Sequence, residues 1–314
     1  MTPKSIPSHY SCPVCEDIGC STFTVENVGT FYRCNACGFI FAPEILSEDA
    51  VLYDENFGAA NIHPTYRKTS SGFVINNRAK LSDLLARFEP YRQTGRILDV
   101  GCSAAFLMHL AQEKGWQANG VEIAPWAAEF SKKELGVEVF CGTLENAKFE
   151  SDTFDVIFSS HVLEHISDPF PLIKEMQRVL RPGGLHVSVL PSQFASPSWH
   201  ISKRFIGDPP PKHTSFFNTH SFAKLIERCG LNVVSCTYNV ELMRLYELTL
   251  NREQMKARWQ SKLAAANIQD GGTETIHQGL KSKSISAAKT LINIAGNIFG
   301  FGDEIICLAT KPEA

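Results

Sequence analysis

Thirteen residues, Arg96–Met108 (RILDVGCSAAFLM), constrain this chain more than any other stretch. Ile97, Leu98 and Val100 make a short apolar run that carries an acid, Asp99, and closes on Gly101. Small residues then lead into a helical pattern. This is the order of a first strand, turn and helix in a nucleotide-type α/β domain. Gly101 lets the backbone turn without a Cβ in the way. Ser103, Ala104 and Ala105 keep the turn small, so that a ligand can lie against the backbone. Asp99 falls at the carboxyl end of the strand, where open α/β sheets take their ligands. A dinucleotide fingerprint carries three glycines. Here Gly101 stands alone, with Ser103 and Phe106 in the other two places. A pyrophosphate is therefore not the implied guest, and Asp99 favours a ligand with a cationic group.

The chain on either side repeats the alternation. Residues 73–91 (Phe73, Ile75, Leu81, Leu84, Leu85, Phe88) have helical spacing. Ala118–Ile123 is a second strand, and its Glu122 lies 23 residues past Asp99. An acid at this offset, at the tip of the second strand, can accept the hydroxyls of a ribose. Pro125–Leu135 predicts a helix with proline at its start. Residues 136–142 form a third strand, with Thr143 and Leu144 beyond its tip. Phe154–Ser160 is a fourth, almost continuously apolar as a central parallel strand should be. His161, Glu164 and His165 follow it. Asp168-Pro169 starts a helix that Arg181-Pro-Gly-Gly stops, and Leu185–Leu190 is a fifth strand. Ser221–Cys229, Leu231–Tyr238 and Asp303–Thr310 predict a helix and two last strands. The segment 240–300 is mainly helical, with a polar break at 267–275. The expectation is a doubly wound, mostly parallel seven-stranded α/β sheet over 73–314, with 240–300 as a helical insertion.

Ahead of this domain stand Cys12-Pro-Val-Cys15 and Cys34-Asn-Ala-Cys37, eighteen residues apart. Two such pairs at this spacing suit a tetrahedral four-thiolate zinc site. Thr22–Val25 and Thr30–Arg33 read as short strands between them, so residues 1–45 predict a zinc ribbon. Gly38 suits the positive φ of a knuckle turn. Four thiolates leave no open position, which makes the zinc structural. Cys20 is out of register and reads as packing or a free thiol. Residues 46–72 read as a linker or flap. The chain has ten cysteines in 314 residues and its first residues lack an apolar core. A reducing, cytoplasmic setting is the expectation. The net charge of -3 gives no global pull toward nucleic acid or an anionic membrane. Ala287–Phe301 is apolar but interrupted by Lys289, Asn293, Gly296, Asn297 and Gly300. It predicts a docked amphipathic helix, not a membrane span.

Together, Leu98–Ser103, Phe154–Ile157, Val162–His165 with Asp168-Pro169, and Val179–Gly184 resemble the class I S-adenosylmethionine-dependent methyltransferases. The resemblance covers about 75–238 and 303–312. The paired cysteines ahead of the domain are similar to a subgroup tied to sugar, polysaccharide and natural-product pathways. One departure is Ala105, where the family has a second glycine. The resemblance implies S-adenosyl-L-methionine as cofactor. Its methionine moiety would lie along Asp99, Gly101, Cys102 and Ser103, its ribose on Glu122, and its adenine near Ile123, Thr143 and Leu144. Ser159, Ser160 and His161 would line the floor under the sulfonium.

The acceptor is expected to be a small or sugar-linked molecule, methylated on oxygen or nitrogen. His161, His165, His200 and His213 are candidate bases. His213 is preferred, because it lies on a long Pro- and aromatic-rich loop beside Phe216 and Phe217, and His165 reads as structural. Sugar C-methyltransferases with a zinc module resemble this chain but carry His-Glu-His near that loop, where Pro211-Lys212-His213 stands here. They also continue into a further domain beyond the seventh strand. An rRNA or tRNA base methyltransferase is a second alternative. Arg33 is the ribbon's one basic residue between Tyr10 and Ala42, and no Asn/Asp-Pro-Pro-aromatic stretch follows strand four, so nucleic acid is an unlikely partner. A non-catalytic interaction protein is a third, opposed by Asp99, Gly101 and Glu122. The segment 240–300 could cap the pocket or form a homodimer.

Overall fold

The computed structural model describes residues 11–42, 66–69, 72–75, 78–202, 210, 212–240 and 278–313. The described residues form thirteen strands: β1 Cys20–Val25, β2 Gly29–Cys34, β3 Ile40–Phe41, β4 Tyr66–Thr69, β5 Gly72–Ile75, β6 Arg96–Val100, β7 Gln117–Glu122, β8 Val139–Cys141, β9 Phe154–Ser160, β10 Leu180–Pro191, β11 Ser215–Phe216, β12 Asn232–Asn239 and β13 Glu304–Thr310. Seven of them make the main sheet, in the order β12-β13-β10-β9-β6-β7-β8. The pairings among β6, β7, β8, β9 and β10 are parallel. Lys311, just past β13, exchanges hydrogen bonds with Gly183 and Gly184 at the start of β10, so β13 runs antiparallel. The sheet is therefore mixed, with a single reversed strand.

The sequence order reverses between β6 and β9. Their carboxyl ends define the crevice in which sheets of this kind bind ligands. One face of the sheet is buried by the helices Arg78–Phe88 and Phe106–Glu113. Leu85, Phe88, Leu107 and Met108 pack there against Ile97, Val156, Phe158 and Val187. Each such side chain removed from water stabilises by roughly 1.5–3 kcal/mol.

Several elements differ from the sequence reading. Phe73 and Ile75 lie in the hairpin β4-β5, and the helix begins only at Arg78. The helix from Pro125 keeps α geometry to Phe130 and closes in a π turn, Ser131–Leu135, before left-handed Gly136. Arg181-Pro-Gly-Gly is not a turn between elements. It is an irregular stretch inside the long strand β10, where the register to β9 slips between Leu180 and Leu185. Of the 240–300 segment, 241–277 lies outside the described residues, as does most of 46–72. The helix Gln278–Phe299 is present. No helix among the described residues is long and apolar enough to cross a membrane.

The chain divides into two compact units. The second, 192–207 with 238–304, is organised by the asparagines that interrupt its apolar helix. Asn297 accepts from the Tyr238 N–H at 2.7 Å and donates to the Tyr238 carbonyl at 2.9 Å. Asn293 accepts from the Val240 N–H at 2.7 Å. Two of the residues that interrupt the apolar run, Asn293 and Asn297, thus pin the helix to backbone.

The amino-terminal edge of the main sheet is fixed by one carboxylate. Asp155, fully buried at the start of β9, accepts the backbone N–H groups of Gln93, Thr94 and Gly95 at 2.9, 2.8 and 2.6 Å. Its other oxygen accepts from Arg181 Nε at 2.6 Å. Arg181 donates onward to the Tyr91 and Pro182 carbonyls. Burial pushes the Asp155 carboxyl up, but the Arg181 hydrogen bond and the backbone donors outweigh it and hold the group below its ordinary value. A folded-state value below the unfolded one contributes stability above the unfolded carboxylate range, and that stability is lost as pH falls through the folded value. Asp155→Ala should cost about 3–5 kcal/mol, because it leaves Arg181 buried without its counter-charge. Denaturant unfolding should show wild-type stability falling in acid more steeply than that of the variant, and equal slopes would refute the assignment.

Candidate active site

The turn after β6 carries three left-handed residues: Gly101 at φ 73°, Ser103 at 47° and Ala105 at 52°. Gly101 is required on two counts. Its φ is unfavourable for any side chain, and a Cβ there would stand 2.3 Å from Val162 Cγ2. Ser103 and Ala105 hold the same region with side chains, at about 1–2 kcal/mol each. The departure at Ala105 therefore leaves the glycine-type loop intact and is met by strain. The loop is tied to β7 by backbone bonds from Gly101 and Cys102 to the Val121 carbonyl, at 2.8 and 3.2 Å. Cys102 is buried, and a Cβ on Gly120 would lie 2.6 Å from its sulfur. Its side chain is therefore packing beneath the loop, and only its backbone faces the turn.

Glu122 is 8% exposed at the tip of β7. Its two oxygens accept from the backbone N–H groups of Ser103, at 2.9 Å, and Ala124, at 3.0 Å. It clamps the turn to the next strand tip, and each oxygen retains a lone pair for a hydroxyl. Asp99, 5% exposed, is the opposite case, since among the described residues no hydrogen-bond donor reaches its carboxylate. Burial, and secondarily the negative charge of Glu122, push its carboxyl well above the ordinary value. Two acids thus share a crevice, and Glu122 is the charged side chain that acts on Asp99.

Beyond Glu122, Ile123 leaves 45% of its surface exposed, an apolar face beside the acid. Thr143 accepts from the Asn146 N–H as cap of the helix Leu144–Ala147. Leu144 is buried in the core, so its side chain does not present a surface to a ligand. Ser160 is half-buried at the end of β9, opposite Val189. Ser159 does not line a floor. It is 2% exposed and joins a chain inside the sheet, its Oγ 2.9 Å from Ser188 Oγ, which lies 2.8 Å from His186 Nε2. Burial draws His186 down to about 4, so that imidazole is neutral.

The histidines converge more than their spacing shows. His161 is left-handed at φ 57°, and its Nδ1 lies 3.2 Å from Glu164 Oε1. His165 Nδ1 donates to the Lys212 carbonyl at 2.9 Å, which turns its Nε2 toward Glu164 Oε1 at 4.0 Å. His213 meets His165 edge to face, ring centroids 4.7 Å apart. Glu164, His165 and His213 bring ligand atoms within 4.8 Å of one another, a set that can relay a proton or hold a cation. Glu164 is 1% exposed, and its Oε2 has no hydrogen-bond partner. Sequence reading missed it as a site residue. Its signal is the spacing from His161, three residues apart across a single 3-10 turn, Leu163–His165. His200 lies apart from this group in sequence, on the short helix Pro197–Ser202 of the second unit.

The four cysteines of the paired motifs lie together. Cys12 and Cys37 sulfurs are 3.7 Å apart and Cys15 and Cys34 sulfurs 3.5 Å, with all four within 4.8 Å. No disulfide joins them. A tetrahedral ion at 2.3 Å from each sulfur would set them roughly 3.8 Å apart, so the cluster fits zinc. Each pair closes the same way, Glu16 N–H on the Cys12 carbonyl and Gly38 N–H on the Cys34 carbonyl, with the donor left-handed. Cys20 is outside the cluster, and burial pushes its thiol up to about 11.

An acid-tipped turn at the switch point of a seven-stranded mixed sheet defines a methyltransferase-type α/β fold. Residues 73–236, just over half the chain, match the family described as "Methyltransferase domain", and the chain belongs to that family. It is 33% identical over 123 residues to the ubiquinone biosynthesis O-methyltransferase of Parvibaculum lavamentivorans, covering 38% of this chain and 45% of that protein. To the protein of the same name in Xanthomonas axonopodis pv. citri it is 28% identical over 196 residues, covering 58% and 78%. To the sterol 4-C-methyltransferase strm-1 of Caenorhabditis elegans it is 34% identical over 142 residues, covering 43% and 42%. The first and third of these matches thus span less than half the relative's length. A solved SAM-dependent methyltransferase from Archaeoglobus fulgidus has the same fold, with a TM-score of 0.50 at 17% identity over 82% of this chain and 100% of that one.

Two substitutions in the turn should act in opposite directions. Gly101→Ala adds a Cβ to a closed space and should lower the thermal midpoint and weaken ligand binding. Ser103→Gly removes an exposed side chain from a left-handed position and should gain about 1 kcal/mol, a rise of roughly 2–4 °C. Thermal melts of the two variants beside wild type check both signs, and a fall for Ser103→Gly would show the loop to be unstrained.

Proposed function

We propose that this chain is an S-adenosyl-L-methionine-dependent methyltransferase acting on a hydroxyl or amine of a small or sugar-like acceptor, with a structural zinc in its ribbon. The observation that carries the reading is the Asp99–Glu122 pair. One buried carboxylate lacks a donor and is poised for a cationic amino group. Its neighbour already organises the turn and has lone pairs for ribose hydroxyls. The exposed face of Ile123 suits an adenine ring, beside the backbone of Thr143 and Leu144.

The bound cofactor supplies an activated methyl group. The protein's part is alignment, which can account for about 7–11 kcal/mol of a displacement barrier. Asp99 and the backbone of Gly101–Ser103 hold the amino-acid end, and Glu122 holds the sugar. Ser160 and His161 border the tip of β9. Glu164 holds His161 by Nδ1 and orients the imidazole that would take a proton from the acceptor, a contribution of roughly 10²–10⁴-fold. His213, against His165, bounds the acceptor side. O-methylation agrees with the names of the ubiquinone relatives. The sterol 4-C-methyltransferase favours carbon as the second reading, but one histidine of the loop's His-Glu-His is all that this chain keeps.

Asp99→Asn and Glu122→Gln should each weaken S-adenosylhomocysteine binding by roughly 10–100-fold, the worth of one charge-assisted hydrogen bond. The raised Asp99 carboxyl gives a pH signature. Affinity should improve as pH rises through and above the ordinary carboxylate range, because the carboxylate binds the ligand's ammonium, and Asp99→Asn should flatten the curve. Calorimetry across pH checks this, and equal affinity in both variants and wild type would sink the cofactor reading. With cofactor labelled in the methyl group, acceptor screens should yield a methyl on oxygen or nitrogen, lost in His161→Ala. A methyl–carbon bond seen by NMR would favour the second reading.

A further inference from the structure

The strand that follows His213 belongs to two modules. On one edge β11 pairs with β3 of the ribbon, Ser215 opposite Phe41 and Phe216 opposite Ile40. The Ala42 N–H extends that ladder to the Thr214 carbonyl at 3.0 Å. Its other contacts are to the loop after β9. The Thr214 N–H donates to the Glu164 carbonyl at 2.8 Å, and Ser215 Oγ donates to the Ile166 carbonyl at 2.6 Å. Residues 214–216 are therefore clasped between the cysteine module and the segment that bears Glu164 and His165.

Asn218 fastens the far end of the clasp. Its Nδ2 donates to the carbonyls of Gly38, at 3.0 Å, and Cys37, at 3.4 Å. Its Oδ1 accepts from the Ser221 N–H at 2.8 Å, as N-cap of the helix Thr219–Arg228. A Cβ on Gly38 would stand 2.8 Å from Asn218 Nδ2, so glycine serves both the left-handed knuckle and the approach of this amide. One side chain thus joins the second cysteine pair to the methyltransferase domain, five residues after His213.

We infer that Asn218 is a positioning residue: with the four-cysteine cluster it fixes residues 213–217 in register, and so sets His213 against Glu164 and His165. The metal state of the ribbon then acts on the acceptor side of the site and not on the cofactor side. This rests on the reading of the histidine group as the acceptor side.

The test uses the full, zinc-loaded chain. Asn218→Asp keeps an equally good N-cap but removes both N–H donors to the knuckle. Asn218→Ser keeps a cap without adding charge and guards against effects of repulsion. Hydrogen exchange over 212–217 should quicken by about tenfold in both variants, the worth of the lost hydrogen bonds. The His213 ring resonances should shift, and the S-adenosylhomocysteine Kd should stay within about twofold of wild type. Withdrawing zinc from the wild-type protein with a chelator should reproduce the pattern. Unchanged exchange and unchanged His213 signals in both variants would overturn the proposal. So would a Kd that weakens in step with the exchange, which would make Asn218 a stabiliser of the whole domain. Loosening without any effect on methyl transfer would leave the positional link standing and remove His213 from the reaction.

Discussion

Asp155 is a charge with no contact with water, and its position is what makes the opposite edge of the sheet usable. Three backbone donors and the Arg181 guanidinium satisfy it at the amino-terminal ends of β6, β9 and β10. That pins three parallel strands at one end, and their carboxyl tips are consequently fixed relative to one another. The polar groups at those tips are treated differently. Asp99 is buried with no hydrogen-bond donor among the described residues, and Glu164 keeps an orphaned oxygen. Unpaired buried charge is costly. A fold that settles its electrostatics at one end and leaves them open at the other holds a site ready for a cation, a proton or a hydroxyl.

The same division shows in backbone strain. Among the described non-glycine residues, seven have positive φ, and Ser103, Ala105 and His161 are three of them. Ser103 and Ala105 lie in the turn after β6, and His161 follows the end of β9. Strained conformations persist only where their surroundings over-determine them. Here Glu122 grips the Ser103 N–H, Ala105 is sealed in the core, and the His161 N–H donates to the Val189 carbonyl at 2.9 Å.

Much of this was legible in the chain. The apolar run to Gly101, the acid 23 residues on and the two cysteine pairs each state a local requirement, and local requirements are what sequence carries best. The motifs Phe154-Asp-Val and Leu-Arg-Pro-Gly-Gly were recognisable but mute, because their meaning is a contact between Asp155 and Arg181, which come from different strands. The reading of Arg181-Pro-Gly-Gly as a stop followed from proline and glycine chemistry. It failed because a bulge within a strand uses the same residues as a turn. Ser159 was misplaced because a small polar residue at a strand end looks the same facing a ligand or facing Ser188. Asn218 gave no sign at all, since a helix cap is a common use of asparagine and its second bond reaches back to residue 38.

That long reach changes what the cysteine module is. Phe31 meets Phe216 edge to face at 5.5 Å, Phe39 lies 4.8 Å from Phe217, and Phe217 continues at 5.2 Å to Phe222 in the following helix. Arg228 from the far end of that helix donates to the Pro13 carbonyl at 2.8 Å and pairs with Glu16. A ribbon of some thirty residues has too small a core to fold on apolar burial alone, which is the ordinary reason for a metal in such a module. Here the ribbon borrows a strand and an aromatic row from the larger domain, and it returns the favour by holding the loop that carries His213. The sheet β1-β2-β3-β11 is thus shared, three strands from the cysteine module and one from the segment that follows His213.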